Sequence, residues 1–165
     1  MTADAAGPAR VPVALTAHGN ASVSAALAPT LAGDYTLSVR LAGEAGADLG
    51  ASPFALRVVP GAPDARASAV FGPGTQNMTA GEETPVRLAV RDAYANPTNL
   101  SVAEVRLTVN ASDNSSSTAS APVARARLGE YELSYRLTRA GAYVLAVPPT
   151  PPLVLSGHAA SLTPY

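Results

Sequence analysis

The sequence has no cysteine, tryptophan, lysine or isoleucine, and these absences narrow what the protein can be. Without cysteine there is neither a disulfide nor a thiolate metal ligand, so the fold depends on its apolar core alone. Lysine and isoleucine both have AT-rich codons, so their joint absence indicates a GC-rich genome rather than a chemical requirement. All 11 basic residues are therefore arginine.

Charge and long apolar runs are also scarce. Only 14% of the 165 residues are charged and the formal net charge is −1, so the chain lacks the positive field that attracts a nucleic-acid backbone. No apolar run approaches the roughly 18 to 20 residues that cross a bilayer, and the N-terminus lacks a signal-peptide pattern. We expect no nucleic-acid partner, no membrane segment in this chain and, if the protein is secreted, a signal upstream of it.

The residues that catalysis and metal binding require are few and scattered. The only histidines, His18 and His158, lie 140 residues apart, and no nucleophile elbow, dinucleotide-binding loop or phosphate-binding loop occurs. Four acidic residues near the ends of one predicted repeat are better explained as solvated turn acids than as calcium ligands, because they lack the spacing of a dedicated loop. They are Asp64, Glu82, Glu83 and Asp92. We predict that the chain is not an enzyme and has no catalytic residue, metal site or cofactor.

Alternation of apolar and polar residues with a period of two dominates the chain, which is typical of half-buried antiparallel strands. The pattern is clearest in "TPVRLAVRD", "AEVRLTVN" and "EYELSYRL", with shorter runs at 123–127 and 143–147 and in "PPLVLS". The 13 glycines and 15 prolines punctuate these runs. The pattern predicts an all-β fold of immunoglobulin-like β-sandwich type.

The chain also repeats itself. "AGDYTLSV" (32–39) returns as "AGAYVLAV" (140–147) at an offset of 108, whereas "ARASAVF" and the C-terminal "HAASLTPY" are matched at an offset of 93. We place the 15-residue difference as a deletion in the hairpin before the last strand of the second copy. The prediction is the C-terminal half of a repeat at 1–60, a linker at 61–66, a complete repeat with a shortened last hairpin at 67–156, and the start of a further repeat or a linker at 157–165.

Five of the six asparagines begin an Asn-x-Ser/Thr sequon, the acceptor signal for N-glycosylation. This excess favours a glycosylated, extracellular chain, and clustering of Asn and Ser in turns is the alternative explanation. Two of the sequons lie in "NASDNSSS" (110–117), which we predict to be a polar loop. The candidate sites are Asn20, Asn77, Asn99, Asn110 and Asn114.

Three stretches resemble filamin-type immunoglobulin-like repeats. "GEYELSYRLTRAGAY" (129–143) and "GDYTLSVRLAGEAGADLGASPFALRVVPG" (33–61) are similar to the second half of such a repeat, and "FGPGTQNMTAGEETPVRLAVRDAYANPTN" (71–99) is similar to its first half. The chain departs from the family at Ala95, where a glycine is usual. The Asp-Ala-Tyr-x-Asn turn also resembles repeats of algal and plant surface proteins, including gamete adhesion proteins.

The resemblance implies rod-like tandem repeats, the first one partial, and a strand C edge to which a partner peptide adds as an extra strand. Here that edge corresponds to Val105, Leu107 and Val109, and a glycan on Asn110 or Asn114 would stand over it.

Three functions remain open from the sequence. The first is a non-catalytic extracellular or cell-surface module for structure or adhesion, which contacts neighbouring repeats of its own chain and an unidentified protein partner. The second is a cytoplasmic, filamin-like scaffold of the actin cytoskeleton that binds peptides by strand addition. The third is an accessory domain of a larger enzyme.

Overall fold

The computed structural model describes residues 1–20, 22–41, 47–100, 105, 107–111, 123–146 and 158–163. These residues form β-strands and turns, with one short 3-10 helix at Pro73–Thr75. Within these ranges we find no helix of the length and apolar character that crossing a membrane requires. The chain divides into two compact units, unit 1 (Met1–Pro60) and unit 2 (Gly61–Tyr165).

Unit 1 consists of a three-stranded antiparallel sheet and a separate hairpin. The sheet has the order β1 (Thr2–Ala6), β4 (Gly33–Arg40), β5 (Phe54–Val58). The hairpin pairs β2 (Ala14–His18) with β3 (Ser22–Ala26). A small core holds the unit together: buried Ala5, Val11 and Tyr35, against which half-buried Val13, Leu27, Leu37, Leu56 and Val58 pack.

The described strands of unit 2 form two four-stranded sheets. The first has the order β10 (Val123–Arg127), β11 (Glu130–Arg136), β8 (Glu83–Ala89), β6 (Ala69–Phe71). The second has the order β7 (Met78–Thr79), β13 (His158–Thr163), β12 (Ala142–Ala146), β9 (Thr108–Ala111). Only the pairing of β7 with β13 is parallel among these strands.

The core of unit 2 lies between its two sheets, which confirms the predicted all-β, immunoglobulin-like fold. The alternating apolar positions of β8 and β11 are almost fully buried, as Val86 and Leu133 show with exposures of 0% and 1%. Side chains of the other sheet, among them Val109 and Leu145, belong to the same cluster. Each such side chain contributes about 1.5 to 3 kcal/mol through its removal from water.

The sheet of unit 1 has the same strand order as part of the second sheet of unit 2. In unit 1 Ala5 lies opposite Leu37, and in unit 2 Val109 lies opposite Leu145, which follows Leu37 by 108 residues. The hairpins β2–β3 and β10–β11 also begin within one residue of this offset. This correspondence supports the interpretation of residues 1–60 as the C-terminal half of a repeat, which stays a prediction.

Residues 158–163 form a strand of unit 2, whereas the sequence match aligned them with the start of a repeat. We expected 157–165 to begin a further repeat or a linker, but the backbone of 158–163 forms β13, which pairs with β12 as β5 pairs with β4. The stretches before these strands, 147–157 and 41–53, contain 11 and 13 residues, and the predicted bounds of the repeats stay predictions. "HAASLT" offers an uninterrupted strand, whereas the prolines of the matched "PPLVLS" cannot donate to a ladder; that segment lies outside the described residues.

A buried tyrosine occupies the same place in each unit. The hydroxyls of Tyr35 and Tyr143 each donate to the carbonyl oxygen four residues earlier, of Leu31 and Arg139, at 2.9 Å in both cases. This arrangement is the tyrosine corner of immunoglobulin-like sandwiches, which fastens the chain where it enters the strand. The repeated "AGxY" motif is therefore explained by one hydrogen bond made twice.

Replacing Tyr143 with phenylalanine should lower the free energy of unfolding of unit 2 by about 1 kcal/mol, because the ring still fills its site but the hydrogen bond is lost. Urea unfolding followed by tyrosine fluorescence measures the change. Tyr94→Phe is the matched control, since that ring is 61% exposed and its loss of a hydroxyl should cost less than about 0.5 kcal/mol. Equal effects of the two variants would contradict the role of the corner.

Candidate functional site

Strand β9 lies at the end of its sheet. It pairs with β12 from Thr108 opposite Ala146 to Ala111 opposite Tyr143, and no strand among the described residues pairs with its other side. Such an edge presents backbone N–H and C=O groups to which an extended peptide can add as a further strand. The edge is therefore a candidate interaction site, in the region for which the filamin resemblance implies one.

The three side chains that we predicted for this edge are buried in the core of unit 2. Val105, Leu107 and Val109 are exposed by only 3%, 2% and 0%, and all three belong to the core of unit 2. Val109 lies in β9, whereas Val105 and Leu107 precede it outside any strand. A partner added here would bind the backbone of β9, and these three residues would act by holding that backbone against the core. Binding at the edge itself stays a prediction.

The structure places four of the five sequon asparagines. Asn20, Asn77 and Asn99 are exposed and lie outside the strands, as N-glycosylation requires of an acceptor. Asn110 lies within β9 with its backbone opposite Val144, so the predicted polar loop begins later than we expected. Asn114 lies outside the described residues. Glycosylation at all five positions remains a prediction.

The turn that follows β8 contains a buried carboxylate, Asp92, which is 2% exposed. We call residues Asp92–Thr98 the Asp92 turn. The backbone N–H groups of Tyr94 and Asn96 donate to Oδ1 of Asp92, both at 2.9 Å. Its Oδ2 accepts the backbone N–H of Gly61 at 2.8 Å and the side-chain amide of Asn96 at 2.9 Å. One side chain thus satisfies four donors.

These contacts set the charge state of Asp92. Burial alone raises the pKa of this carboxyl, but the hydrogen bonds from the Asn96 side chain and from the backbones of Gly61, Asn96 and Tyr94 outweigh burial and lower the pKa to about 2. Our expectation that Asp92 is a solvated turn acid was wrong, because spacing along the chain does not reveal which donors converge on a side chain. Among the described residues no group of three His, Cys, Asp or Glu side chains could hold a metal ion.

The Asp92 turn also binds the first residues of unit 2. Besides the bond from Gly61 to Asp92, the Thr98 hydroxyl donates to the Gly61 carbonyl oxygen at 3.0 Å. The Asp64 N–H donates to the Arg91 carbonyl oxygen at 2.7 Å. The start of the predicted linker at 61–66 is therefore hydrogen-bonded to the end of β8. The sequence signal for this was the Asp-Ala-Tyr-x-Asn motif itself, but its partner Gly61 was not foreseen.

Acid should weaken unit 2 through Asp92. The pKa of the carboxyl falls from 3.8 to about 2 on folding, so the unfolded state binds the proton more readily, and this contribution is complete above pH 3.8 and is lost as the pH falls towards 2. Urea unfolding between pH 5 and 2, compared between wild type and Asp92→Asn, should show a steeper loss of stability in the wild type. Parallel pH profiles would show that the carboxylate does not act in this way.

Ala95 has the conformation that the family's glycine would adopt, with φ of 65°. This left-handed geometry strains a residue that carries a Cβ. Ala95→Gly should therefore raise the free energy of unfolding by roughly 0.5 to 1 kcal/mol, as the relief of strain exceeds the added entropy of the unfolded chain. Ala93→Gly in the same turn, where φ is not positive, should instead lower it. Thermal unfolding of both variants checks the sign, and destabilisation by Ala95→Gly would contradict the strain.

The charged residues on the outer face of the first sheet form exposed cross-strand pairs. Arg87 on β8 lies opposite Glu132 on β11, with 3.7 Å between Nε and Oε1. Arg127 pairs with Glu130 across the β10–β11 turn at 2.7 Å. These four residues and Tyr131 line a shallow depression. Because exposed ion pairs contribute little to stability or affinity, we assign this face no binding function.

The facing sheets, the tyrosine corners and the turn after β8 define an all-β chain with the immunoglobulin-like fold of filamin-type repeats. No protein-family model matches the sequence, and no curated protein matches it. Several solved structures share the fold, and three are described. The Lin-41 filamin domain has a TM-score of 0.50 and 23% identity, with 61% of this chain and 96% of that domain covered.

The other two structures are bacterial proteins. The Escherichia coli adhesin FdeC has a TM-score of 0.55 and 22% identity, with 98% of this chain and 47% of that chain covered. Invasin, a bacterial integrin-binding protein, has a TM-score of 0.63 and 17% identity, with 98% of this chain and 32% of that chain covered. This chain thus spans about half and about a third of their lengths. At these identities the likeness concerns the fold alone.

Proposed function

We propose that the chain is a non-catalytic adhesion or interaction module of an extracellular or cell-surface protein, built from filamin-type repeats. The observation that carries this proposal is the fold shared with a bacterial adhesin and an integrin-binding invasin, on a chain whose sequon asparagines Asn20, Asn77 and Asn99 are exposed. The module would present its sheet edges and loops to a protein partner.

Two side chains with shifted pKa values, Asp92 and Tyr135, have structural roles, which supports a non-catalytic function. Asp92 is committed to four hydrogen-bond donors. Burial raises the pKa of Tyr135 to about 12, and its hydroxyl donates to the Gly74 carbonyl oxygen within the core. Perturbed groups mark catalytic sites when they line a cleft, but both of these serve the packing of unit 2. The hydrogen bonds of Gly61 and Asp64 hold the first residues of unit 2 against the segment that follows β8.

Localisation and glycan mass test the proposal. Antibodies against the chain should stain intact cells of the source organism, and glycosidase treatment of the native protein should remove mass at the sequon asparagines. Staining that appears only after permeabilisation, with all five asparagines unmodified, would refute the surface assignment.

A second candidate is a cytoplasmic filamin-like scaffold, favoured by the edge of β9, with which no described strand pairs on one side, and by the fold of the Lin-41 filamin domain. Its mechanism would be addition of a partner peptide along β9. The two candidates make opposite demands on Asn110, because a glycan on β9 would obstruct an added strand. Peptide mapping of Asn110 in the native protein therefore separates them: a glycan favours the surface module, and an unmodified side chain favours the scaffold.

A further inference from the structure

The β2–β3 hairpin of unit 1 has one apolar and one polar face. The pairs Leu15–Ala25 and Ala17–Val23 lie on one face, and the alternate positions of the two strands carry Thr, His and Ser together with the end pair Ala14–Ala26. Such alternation is typical of a strand pair with one face on a core. All five residues of β3 are nevertheless exposed. Within residues 1–20, 22–41 and 47–60, no strand pairs with the far side of β3.

Unit 2 shows what lies at the equivalent edge. Strand β11, which corresponds to β3 at the offset of 108, pairs with β8 along that side. Leu88 lies opposite Tyr131 and Val86 lies opposite Leu133. With β8 in place Tyr131 is 1% exposed, whereas its counterpart in unit 1, Val23, is 41% exposed.

The same contrast appears on the sheet that faces the hairpin position. Leu145 of unit 2 is 3% exposed and packs in one cluster with Val86 and Leu88 of β8. Leu37, its counterpart in unit 1, is only half-buried, and Phe54 opposite it on β5 is 42% exposed. Val23, Ala25 and Leu37 are therefore less buried than their counterparts Tyr131, Leu133 and Leu145, and Phe54 adds an exposed apolar side chain opposite Leu37. We call Val23, Ala25, Leu37 and Phe54 the open face.

We infer that the free edge of β3 is a binding site for an extended polypeptide segment with the alternating apolar pattern of β8. The segment would run antiparallel to β3, as β8 runs antiparallel to β11, and would lay its alternate side chains on the open face. Free edges are usually blocked by charge or proline, but β3 reads "SVSAA" and has neither. This site lies in unit 1 and is distinct from the β9 edge.

The small side chains of β3 also indicate how large the apolar residues of the partner segment should be. Val23 and Ala25 stand where unit 2 has the larger Tyr131 and Leu133. Close packing requires that the missing volume be filled. The partner segment should therefore carry larger apolar residues, such as Leu or Phe, at the positions that Leu88 and Val86 occupy in β8.

The test adds a synthetic peptide to the full 165-residue chain and maps amide hydrogen exchange. The peptide has the sequence of residues 83–91, "ETPVRLAVR", and a second version carries Phe in place of Val86. The expected result is saturable binding that slows exchange of the amides in 22–26 by about tenfold or more, with the Phe peptide binding more tightly. A peptide of the same composition in scrambled order is the control.

Two variants make the outcome specific. Ala25→Asp puts a charge on the open face and should abolish binding, whereas Ser24→Asp puts the same charge on the polar face and should leave it unchanged. Both positions are exposed, so neither variant should unfold the unit. Unchanged exchange in 22–26 at saturating peptide, protection confined to β9 or β11, or equal effects of the two variants would overturn the inference. The purified protein suffices here, so failure leaves the test of cell-surface localisation unaffected.

Discussion

Asp92→Ala is expected to lower the free energy of unfolding of unit 2 by about 3 kcal/mol, a large effect for a single turn residue. The substitution leaves the N–H groups of Gly61, Tyr94 and Asn96 without their acceptor; the bond from Asn96 is buried and the other two are partly buried. Buried donors that lose a partner pay their desolvation cost in full. The start of unit 2 should also loosen, because Gly61 is bound through this carboxylate.

Urea unfolding followed by tyrosine fluorescence measures the loss, and the amide exchange rate of Gly61 measures the loosening. Glu82→Ala is the control, since Glu82 is an exposed acid close to the start of β8 and its removal should change stability by less than about 0.5 kcal/mol. A loss no greater than that of Glu82→Ala would mean that the Asp92 turn does not organise this end of the unit.

Leu145→Ala is expected to destabilise unit 2 by about 2 to 5 kcal/mol, whereas Leu37→Ala in unit 1 should cost less than about 1.5 kcal/mol. The two residues occupy the same position of a repeated strand, 108 residues apart. They differ in what covers them, since Leu145 is 3% exposed beneath β8 and Leu37 is half-buried. A truncated side chain costs most where its loss leaves a cavity that cannot collapse.

Because the chain has two units, the two substitutions need a readout that separates them. Hydrogen exchange of the β12 amides reports the effect of Leu145→Ala, and exchange of the β4 amides reports that of Leu37→Ala. Equal losses would show that Leu37 is as well covered as Leu145 and would contradict the description of an open face.

Periodicity predicted the strands well where apolar positions alternate without interruption. "TPVRLAVRD" and "EYELSYRL" became β8 and β11, and Val86 and Leu133 are buried as expected. Tyr35 and Tyr143, which the repeat at an offset of 108 aligns, make equivalent hydrogen bonds. These features depend on local pattern, which a single sequence displays.

Features that depend on contacts distant in sequence were not predictable in the same way. The donors on Asp92 include one from Gly61, 31 residues away, and no spacing rule relates the two. The strand at 158–163 was not predicted, because "HAASLT" was matched to the start of a repeat, and only its pairing with β12 identifies it as a strand of unit 2. The edge residues Val105 and Leu107 were identified as apolar, but whether such side chains face a partner or the core is set by the second sheet.

Unit 2 is closed by β8 where unit 1 has an open edge at β3, and hydrogen exchange of the unmodified full chain tests this contrast directly. Amides of β11 should exchange more slowly than those of β3 by a factor of about a thousand or more, because β11 lies between two paired strands, whereas β2 is the only described strand that pairs with β3. Similar protection of β3 and β11 in the free protein would contradict the claim.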